Sequence, residues 1–160
     1  MRPQIVPNLW FDTEAEEAAN FYVSLFPDSR VAKVMRYTEA GPGEPGTVVT
    51  VEFELAGQPF VAINGGPQFP FTEAVSFLIP CQDQAEVDHY WDALIEGGES
   101  LQCGWLKDRY GLSWQVVPTV LDRLLDDPDP ERARRATEAM LGMVKLDVEA
   151  LQAAADGVPA

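Results

Sequence analysis

The sequence predicts an α+β fold in which two βαβββ modules are followed by a C-terminal helical extension. Three observations support this prediction. The order strand, helix and three strands occurs over residues 4–64 and again, in compressed form, over residues 72–118. A hairpin between Cys103 and Pro118 completes the second copy. Residues 119–157 then show apolar side chains at helical spacing, so we expect a single domain of 160 residues with helices at its end.

The first module begins with a strand over residues 4–11, where apolar side chains alternate. The capping-box pattern Thr13–Glu16 predicts the start of a helix, and Pro27 predicts its end. Alternating patterns predict three further strands at residues 31–37, 47–56 and 59–64.

The second module repeats this order with shorter connections. A strand is predicted at residues 74–80, and a helix from a cap at Asp83 to Gly97–Gly98. Short strands are expected between residues 99 and 107, and the last strand at 112–118. The segment Asp108–Gly111 predicts the hairpin turn, because Asp accepts bonds from backbone N–H groups and Gly tolerates the closing conformation.

The C-terminal extension is predicted to contain a short helix, a break at Asp126–Pro130, a longer helix and a final helix after a cap at Asp147. The longer helix carries one stripe of small and flexible apolar side chains: Ala133, Ala136, Met140 and Met143. Such a stripe must pack on the chain's own sheet or on a partner subunit. Because most soluble oligomers are two-fold dimers, we expect a homodimer.

The composition limits the possible partners. The net charge of −15 repels polyanions, so neither nucleic acid nor an anionic membrane surface is expected to bind. The sequence has no apolar run long enough to span a bilayer, and its first residues lack the apolar stretch of a secretory signal. Cys81 and Cys103 are expected to be buried thiols in a reducing compartment, which predicts a cytoplasmic protein.

The hairpin sequence CGWLKDRYGLSWQVVP resembles the last strand of the vicinal oxygen chelate superfamily. This superfamily contains glyoxalases, bleomycin- and fosfomycin-resistance proteins and extradiol dioxygenases. The segment is most similar to the PhnB-like branch, often labelled a 3-demethylubiquinone 3-methyltransferase domain, and the resemblance extends over roughly the whole chain. It implies paired βαβββ modules whose curled mixed sheets surround a shared chamber.

The resemblance also implies a divalent metal held by His, Glu or Gln on the first, fourth, fifth and eighth strands. The matching positions carry neutral side chains: Asn8, Asn64, Ala74 or Ser76, and Gln115. Amide oxygens are poor ligands for transition metals. The one histidine, His89, is predicted to face solvent on the second helix. We therefore expect neither a catalytic metal nor another cofactor.

Other candidates for chemistry have simpler interpretations. The Gly65–Gly66 loop is not followed by a helix start, so it does not predict a phosphate or methyl-donor loop. No strand-and-helix repeat predicts a site for S-adenosylmethionine. Cys103 has no neighbouring base, and Glu52 and Glu54 lie on a half-buried strand. The charged residues of the hairpin turn are explained by turn geometry and solubility.

Ligand-binding candidates come from the polar face of each chamber strand. Alternation predicts that Val61 and Ile63 pack under a helix, with Phe60 and Asn64 on the opposite face. The full set of candidates is Asn8, Trp10, Phe60, Asn64, Ser76, Ser113 and Gln115. These side chains are expected to converge on one concave surface, with the amides orienting a ligand and the aromatic rings forming its apolar wall.

The sequence is compatible with three alternative functions. The first is a metal-independent member of the superfamily that binds a small organic molecule, as a sequestering protein or an enzyme of undefined activity. The second is a metal-dependent lyase, isomerase or dioxygenase with other ligands. The third is a structural module whose chamber is filled by side chains. Metal analysis separates the second from the others, and a ligand-induced shift in melting temperature separates the first from the third.

Overall fold

The structure, a computed structural model, describes residues 3–159. The chain forms two compact units, Met1–Phe71 and Thr72–Ala160. The single-domain organisation, with module boundaries at residues 4–64 and 72–118 and an extension at 119–157, stays a prediction.

The first unit contains one helix and four strands. They are β1 (Asn8–Phe11), α1 (Ala15–Leu25), β2 (Arg30–Arg36), β3 (Val48–Leu55) and β4 (Gln58–Asn64). The sheet has the order β1-β4-β3-β2, with β1 parallel to β4 and the other pairs antiparallel. β1 begins four residues later than predicted, and Pro7, which has no N–H to donate, contributes only its carbonyl to the edge, where it accepts from Val61 N at 3.0 Å.

The core of the first unit lies between α1 and one face of its sheet. Tyr22 of α1 is fully buried, and its ring stacks on Phe53 of β3 at 6.4 Å between centroids. Phe53 in turn stacks on Phe60 of β4 at 5.4 Å. Phe60 and Ala62 therefore lie on the face that α1 covers, whereas Val61 and Ile63 are half-buried on the other face.

The second unit repeats the arrangement of the first. It contains β5 (Ser76–Cys81), α2 (Gln84–Ile95), β6 (Glu99–Ser100), β7 (Trp105–Lys107) and β8 (Ser113–Pro118). The order β5-β8-β7-β6, with β5 parallel to β8, corresponds strand for strand to the first sheet. This correspondence confirms the predicted repeat of two βαβββ units.

Both sheets are uncurled, which differs from the curled form implied by the resemblance. Curvature in a sheet is introduced by bulges or glycine kinks. None of the eight described strands contains glycine, and among these strands the register is irregular only between β2 and β3. Apart from these shifts between β2 and β3, the described strands lack the local features that bend a sheet.

The C-terminal extension forms α3 (Val120–Leu125), α4 (Pro130–Leu141) and α5 (Val148–Asp156). These helices share a small core with six buried members: Leu121, Leu124, Ala136, Leu146, Leu151 and Ala155. Met140 and Met143 pack against this core. Most of the predicted stripe is thus covered by the chain's own extension, so it provides no argument for a partner subunit.

The extension is attached to the rest of the second unit by backbone and amide hydrogen bonds. The N–H groups of Cys103 and Gly104 donate to the carbonyls of Met143 and Val144 at 2.8 and 2.7 Å. Gln84, in the first turn of α2, donates to the carbonyl of Leu146 at 3.2 Å and accepts from the N–H of Val148 at 2.8 Å. The extension therefore contacts both α2 and the segment that enters β7.

Among the residues that the structure describes, every helix is too short or too polar to cross a lipid bilayer.

Candidate functional site

The second sheet has one face covered by α2 and an opposite face that α2 does not cover, which we call the helix-free face. At one end of this face, Val117 of β8 packs against the core of the C-terminal helices. Trp114 and Val116 of β8 are 3 % and 0 % exposed and lie on the side of α2, whose Val87, Trp91 and Leu94 are buried. Because side chains alternate along a strand, Ser113 and Gln115 lie on the helix-free face. The predicted separation of the two faces of β8 is confirmed.

Strand register arranges the helix-free face in two rows. Ser113 is paired with Ser76 of β5 on one side and with Lys107 of β7 on the other. This polar row therefore contains two hydroxyls and an ammonium group. The next row pairs Gln115 with Leu78 and with Trp105, so it combines an amide with an aliphatic and an aromatic side chain.

Gln115 and Ser76 contact each other directly. The Nε2 group of Gln115 donates to Ser76 Oγ at 2.9 Å, and the bond is partly buried. The structure thus brings together three of the predicted site residues, Ser76, Ser113 and Gln115, within one sheet. The bond also fixes the orientation of the amide, so that its Nε2 points along the sheet toward β5.

Ser113 and Lys107 complete the polar row. Ser113 is 0 % exposed, and within residues 3–159 its Oγ is the one buried side-chain oxygen or nitrogen found without a hydrogen-bond partner. Lys107 forms an ion pair with Glu73, which precedes β5. The hydrogen bond from Lys107 lowers the pKa of Glu73, and the same bond raises the pKa of Lys107.

In the first sheet, the predicted set is divided between the two faces. Asn8 and Trp10 of β1 are paired with Val61 and Ile63, on the side away from α1. Asn8 is exposed and donates to the carbonyl of Val6 at 3.0 Å. Trp10 donates from Nε1 to the carbonyl of Gly66 at 2.9 Å.

Phe60 and Asn64 lie on the opposite face from Asn8 and Trp10, so the predicted assignment of the two faces of β4 is wrong. Phe60 is part of the core under α1. Asn64 Oδ1 accepts from the N–H of Ala15, the first residue of α1, at 2.8 Å, and Asn64 Nδ2 donates to the carbonyl of Val48 at 3.2 Å. The side chain of Asn64 is therefore a helix cap supplied by a neighbouring strand. The predicted capping box does not supply it, because the N-cap residue Glu14 makes no side-chain capping bond.

The four positions implied as metal ligands do not fit a metal. Asn64 uses both ends of its amide on the backbone, while Asn8 and Gln115 offer neutral amides. Within residues 3–159, no three His, Cys, Asp or Glu side chains are grouped so that they could hold a metal ion. His89 is exposed on α2, as the sequence predicts.

The Gly65–Gly66 loop offers no free N–H groups to an anion. Gly65 N donates to the carbonyl of Phe11 at 2.9 Å, and Gly66 N donates to the carbonyl of Asp12 at 3.3 Å. The indole of Trp10 packs against Gly65 so closely that a side chain at this position would collide with it. The loop is therefore a close-packed strand end, and its geometry does not fit a phosphate or a methyl donor.

The cysteines lack the environment of a nucleophile. Burial raises the pKa of the Cys81 thiol to about 12, so this thiol is neutral at physiological pH. Neighbouring carboxylates act in the same direction. Cys103 is partly exposed, so the prediction that it is a buried thiol is wrong; its backbone lies in the left-handed region at the turn that enters β7.

Asp108 is the residue whose role the sequence analysis missed. It is 3 % exposed, although it lies in the hairpin turn. Its Oδ1 accepts from the N–H groups of Tyr110 and Leu112 at 2.9 and 3.0 Å, and its Oδ2 accepts from Trp114 Nε1 at 2.9 Å. The pattern Asp-x-x-Gly predicts the first of these bonds, but the tryptophan six residues later gives the only sequence signal that the carboxylate is buried.

Comparisons with known proteins agree with this architecture. Residues 3–117 match the family model described as 3-demethylubiquinone-9 3-methyltransferase. The chain is 38 % identical to the PhnB protein of Bacillus cereus, described as a 3-demethylubiquinone-9 3-methyltransferase, over 73 % of this chain and 100 % of that one, with a TM-score of 0.68. Protein PA1353 of Pseudomonas aeruginosa is 20 % identical over 73 % of this chain and 98 % of its own, with a TM-score of 0.61.

A more distant structure shares the fold. The fosfomycin resistance protein FosX of Listeria monocytogenes, solved in complex with Mn(II) and sulfate, is 15 % identical over 78 % of this chain and 96 % of its own, with a TM-score of 0.50. The comparison with curated proteins finds no match. Helices α3–α5 lie beyond the residues that the family model matches.

Proposed function

This chain belongs to the 3-demethylubiquinone-9 3-methyltransferase family of the vicinal oxygen chelate superfamily, and we propose that it binds a small organic molecule on the helix-free face of its second sheet, without a catalytic metal. The bond between Gln115 and Ser76 is the observation that carries this proposal. It holds an amide in a fixed orientation beside Trp105 and Leu78. A few oriented polar groups among apolar side chains are the usual composition of a ligand site.

The donor set supports metal-independent binding. The position on β8 that corresponds to a metal ligand in the superfamily carries Gln115, whose Nε2 is bonded to Ser76. The corresponding position on β4 carries Asn64, whose Oδ1 is bonded to the backbone of α1. Zinc, nickel or iron that stays bound after desalting, with an activity that is lost on chelation, would favour the metal-dependent lyase, isomerase or dioxygenase instead.

We do not assign methyl transfer to this chain, although the family carries that description. Free N–H groups at a helix start and strand-and-helix repeats that end in such a loop are common binding sites for nucleotide-type cofactors. The N–H groups of Gly65 and Gly66 donate to the carbonyls of Phe11 and Asp12 at the end of β1.

Replacing Gln115 by Leu tests the proposal. A thermal-shift screen of wild-type protein against diverse metabolites and antibiotics should yield a compound that raises the melting temperature. The Gln115→Leu variant should lose that shift, because the amide that orients the ligand is gone. The melting temperature of the free variant should stay within about 2 °C of wild type, since Leu retains the side chain's volume and Ser76 is near the edge of the sheet.

Gln102→Leu is the matched control, because Gln102 is exposed in the turn before β7. This variant should keep the full ligand-induced shift. A screen in which no compound stabilises the wild-type protein would support the structural module. A shift that survives Gln115→Leu would place the ligand elsewhere.

We also propose that the protein is a homodimer. β5 is an edge strand of its sheet, and Leu78 on this strand and Val75 just before it are 54 % and 64 % exposed. Exposed apolar side chains along a strand edge favour association with a second copy. Light scattering of the purified protein at micromolar concentration should give twice the chain's mass of 17.6 kDa. A monomer mass would contradict the proposal.

A cytoplasmic location is supported by the cysteines, both of which are free. Thiol trapping in intact cells should find Cys81 and Cys103 reduced. Recovery of the protein from an oxidising compartment would refute this location.

A further inference from the structure

The polar row of the helix-free face contains a buried hydroxyl that no protein group satisfies. Ser113 Oγ has no hydrogen-bond partner, and Ser113 is 0 % exposed. A buried polar atom without a partner is unfavourable, and in native proteins it commonly marks the place of a bound water, ion or ligand. The row therefore has an unused donor at its centre.

The groups on either side of Ser113 favour an anion. Lys107 is its register partner on β7, and Ser76 is its partner on β5. Ser76 Oγ already accepts from Gln115, so its own O–H proton is available to donate to another acceptor. An oxyanion can accept hydrogen bonds from the two hydroxyls and the one ammonium group of this row.

We infer that Ser76, Ser113 and Lys107 form an oxyanion subsite, that Glu73 neutralises Lys107 when the subsite is empty, and that the ligand of the proposed site is a carboxylate. This inference rests on the proposed function and names the chemical class of its ligand. The carboxylate of the ligand replaces that of Glu73 on Lys107 and accepts from Ser113. The body of the ligand then lies along the neighbouring row of Leu78, Gln115 and Trp105.

Glu73 is suited to be displaced. Its side chain is 49 % exposed, and residues 72–75 are all exposed and precede β5. An ion pair between partly exposed groups contributes little free energy, because solvent screens it. Exchange of one carboxylate for another on Lys107 also preserves the charge balance around the row. The ion pair seen in the structure is therefore compatible with ligand exchange.

A titration with benzoate and benzamide tests the inference. The two probes have the same flat ring and nearly the same size, but only benzoate carries a charge. Binding is followed by NMR of ¹⁵N-labelled full-length protein, using the backbone signals of Lys107 and Ser113 and the side-chain signals of Gln115 and Trp105. Benzoate should shift these signals and benzamide should bind at least about tenfold more weakly, because it cannot replace the charge of Glu73.

Three variants separate the roles of the residues. Glu73→Gln should strengthen benzoate binding about threefold, because Lys107 no longer has a competing carboxylate. Lys107→Met should weaken it at least about tenfold. Ser113→Ala should weaken benzoate binding without lowering the melting temperature, since it removes a hydroxyl that has no protein partner. Glu96→Gln, at the exposed end of α2, is the control and should change nothing.

Equal binding of benzoate and benzamide would overturn the inference, as would a Glu73→Gln variant with unchanged benzoate affinity. A Ser113→Ala variant that loses stability while binding benzoate normally would also overturn it, because Ser113 would then have only a structural role. If uncharged compounds produce a shift that Gln115→Leu abolishes while carboxylates have no advantage, the proposed function stands and only the carboxylate assignment fails.

Discussion

Replacing Asp108 by Ala is expected to lower the free energy of unfolding by about 3 kcal/mol, the largest effect of any single polar substitution proposed for this protein. The carboxylate is 3 % exposed and accepts three hydrogen bonds: two from backbone N–H groups of its own turn and one from the indole of Trp114. Removing it takes this acceptor from two buried donors, Leu112 N–H and Trp114 Nε1, and from the part-buried N–H of Tyr110. It also loosens the turn that sets the register of β7 on β8.

Urea unfolding followed by far-UV circular dichroism measures this effect, and thermal melting should show a decrease of about 6–12 °C. Asp122→Ala, on the exposed face of α3, is the matched control and should change stability little. Trp114→Phe removes a single donor and should cost less, and the double variant should be more stable than the sum of the two losses predicts. A loss below about 1 kcal/mol for Asp108→Ala would show that water replaces the carboxylate.

Replacing Asn64 by Ala is expected to destabilise the protein by about 2 kcal/mol. Its amide caps the first turn of α1 through the N–H of Ala15 and donates to the carbonyl of Val48. The N-cap residue Glu14 makes no side-chain capping bond that could replace it. Asn64→Asp should retain part of the stability, since it keeps the acceptor and places a negative charge at the helix N-terminus.

Asn8→Ala is the control for this prediction, because the two asparagines occupy equivalent positions in the ligand-site hypothesis. Asn8 is exposed and its amide donates to the carbonyl of Val6, two residues before it, so its removal should cost less than about 0.5 kcal/mol. Guanidinium unfolding of both variants compares them directly. Equal stability of Asn64→Ala and Asn8→Ala would contradict the capping role of Asn64.

The order of elements in the chain could be predicted from local signals. Pro27 marks the region where α1 ends, Asp83 caps α2 through Glu86 N, and the turn at Asp108–Gly111 joins β7 to β8. The repeat of the whole pattern gave a second, independent argument for two βαβββ units. These signals succeed because each depends on a few neighbouring residues.

The faces of β4 could not be predicted in the same way. Phe60 and Ala62 alternate with Val61 and Ile63, so both faces of the strand are apolar and alternation does not say which one α1 covers. The polar residue at the end of the strand, Asn64, suggests an open face. It lies on the covered face because its amide bonds to Ala15, which is 49 residues away in sequence. In β8, by contrast, the buried Trp114 and Val116 clearly oppose Ser113 and Gln115, and the prediction is confirmed.

In the hairpin turn, the burial of a charged side chain likewise could not be predicted from the sequence. The sequence identifies Asp108 as a turn residue, but exposure of a carboxylate depends on what the fold brings next to it. Lys107 and Asp108 are adjacent in sequence and differ completely in environment. The first pairs with Glu73 at the surface, and the second is enclosed by the hairpin and Trp114.

The attachment of the C-terminal extension determines where this gene can be shortened. The side chain of Gln84 forms hydrogen bonds with the backbone of Leu146 and Val148, 62 and 64 residues further along the chain. The N–H groups of Cys103 and Gly104 donate to the carbonyls of Met143 and Val144. A stop codon after Pro118 would retain every strand of both sheets and yet remove all four of these partners. The point at which resemblance to the family ends is therefore a poor choice of truncation site. A fragment of the second unit that keeps these bonds and the buried Leu151 and Ala155 has to retain the chain through α5.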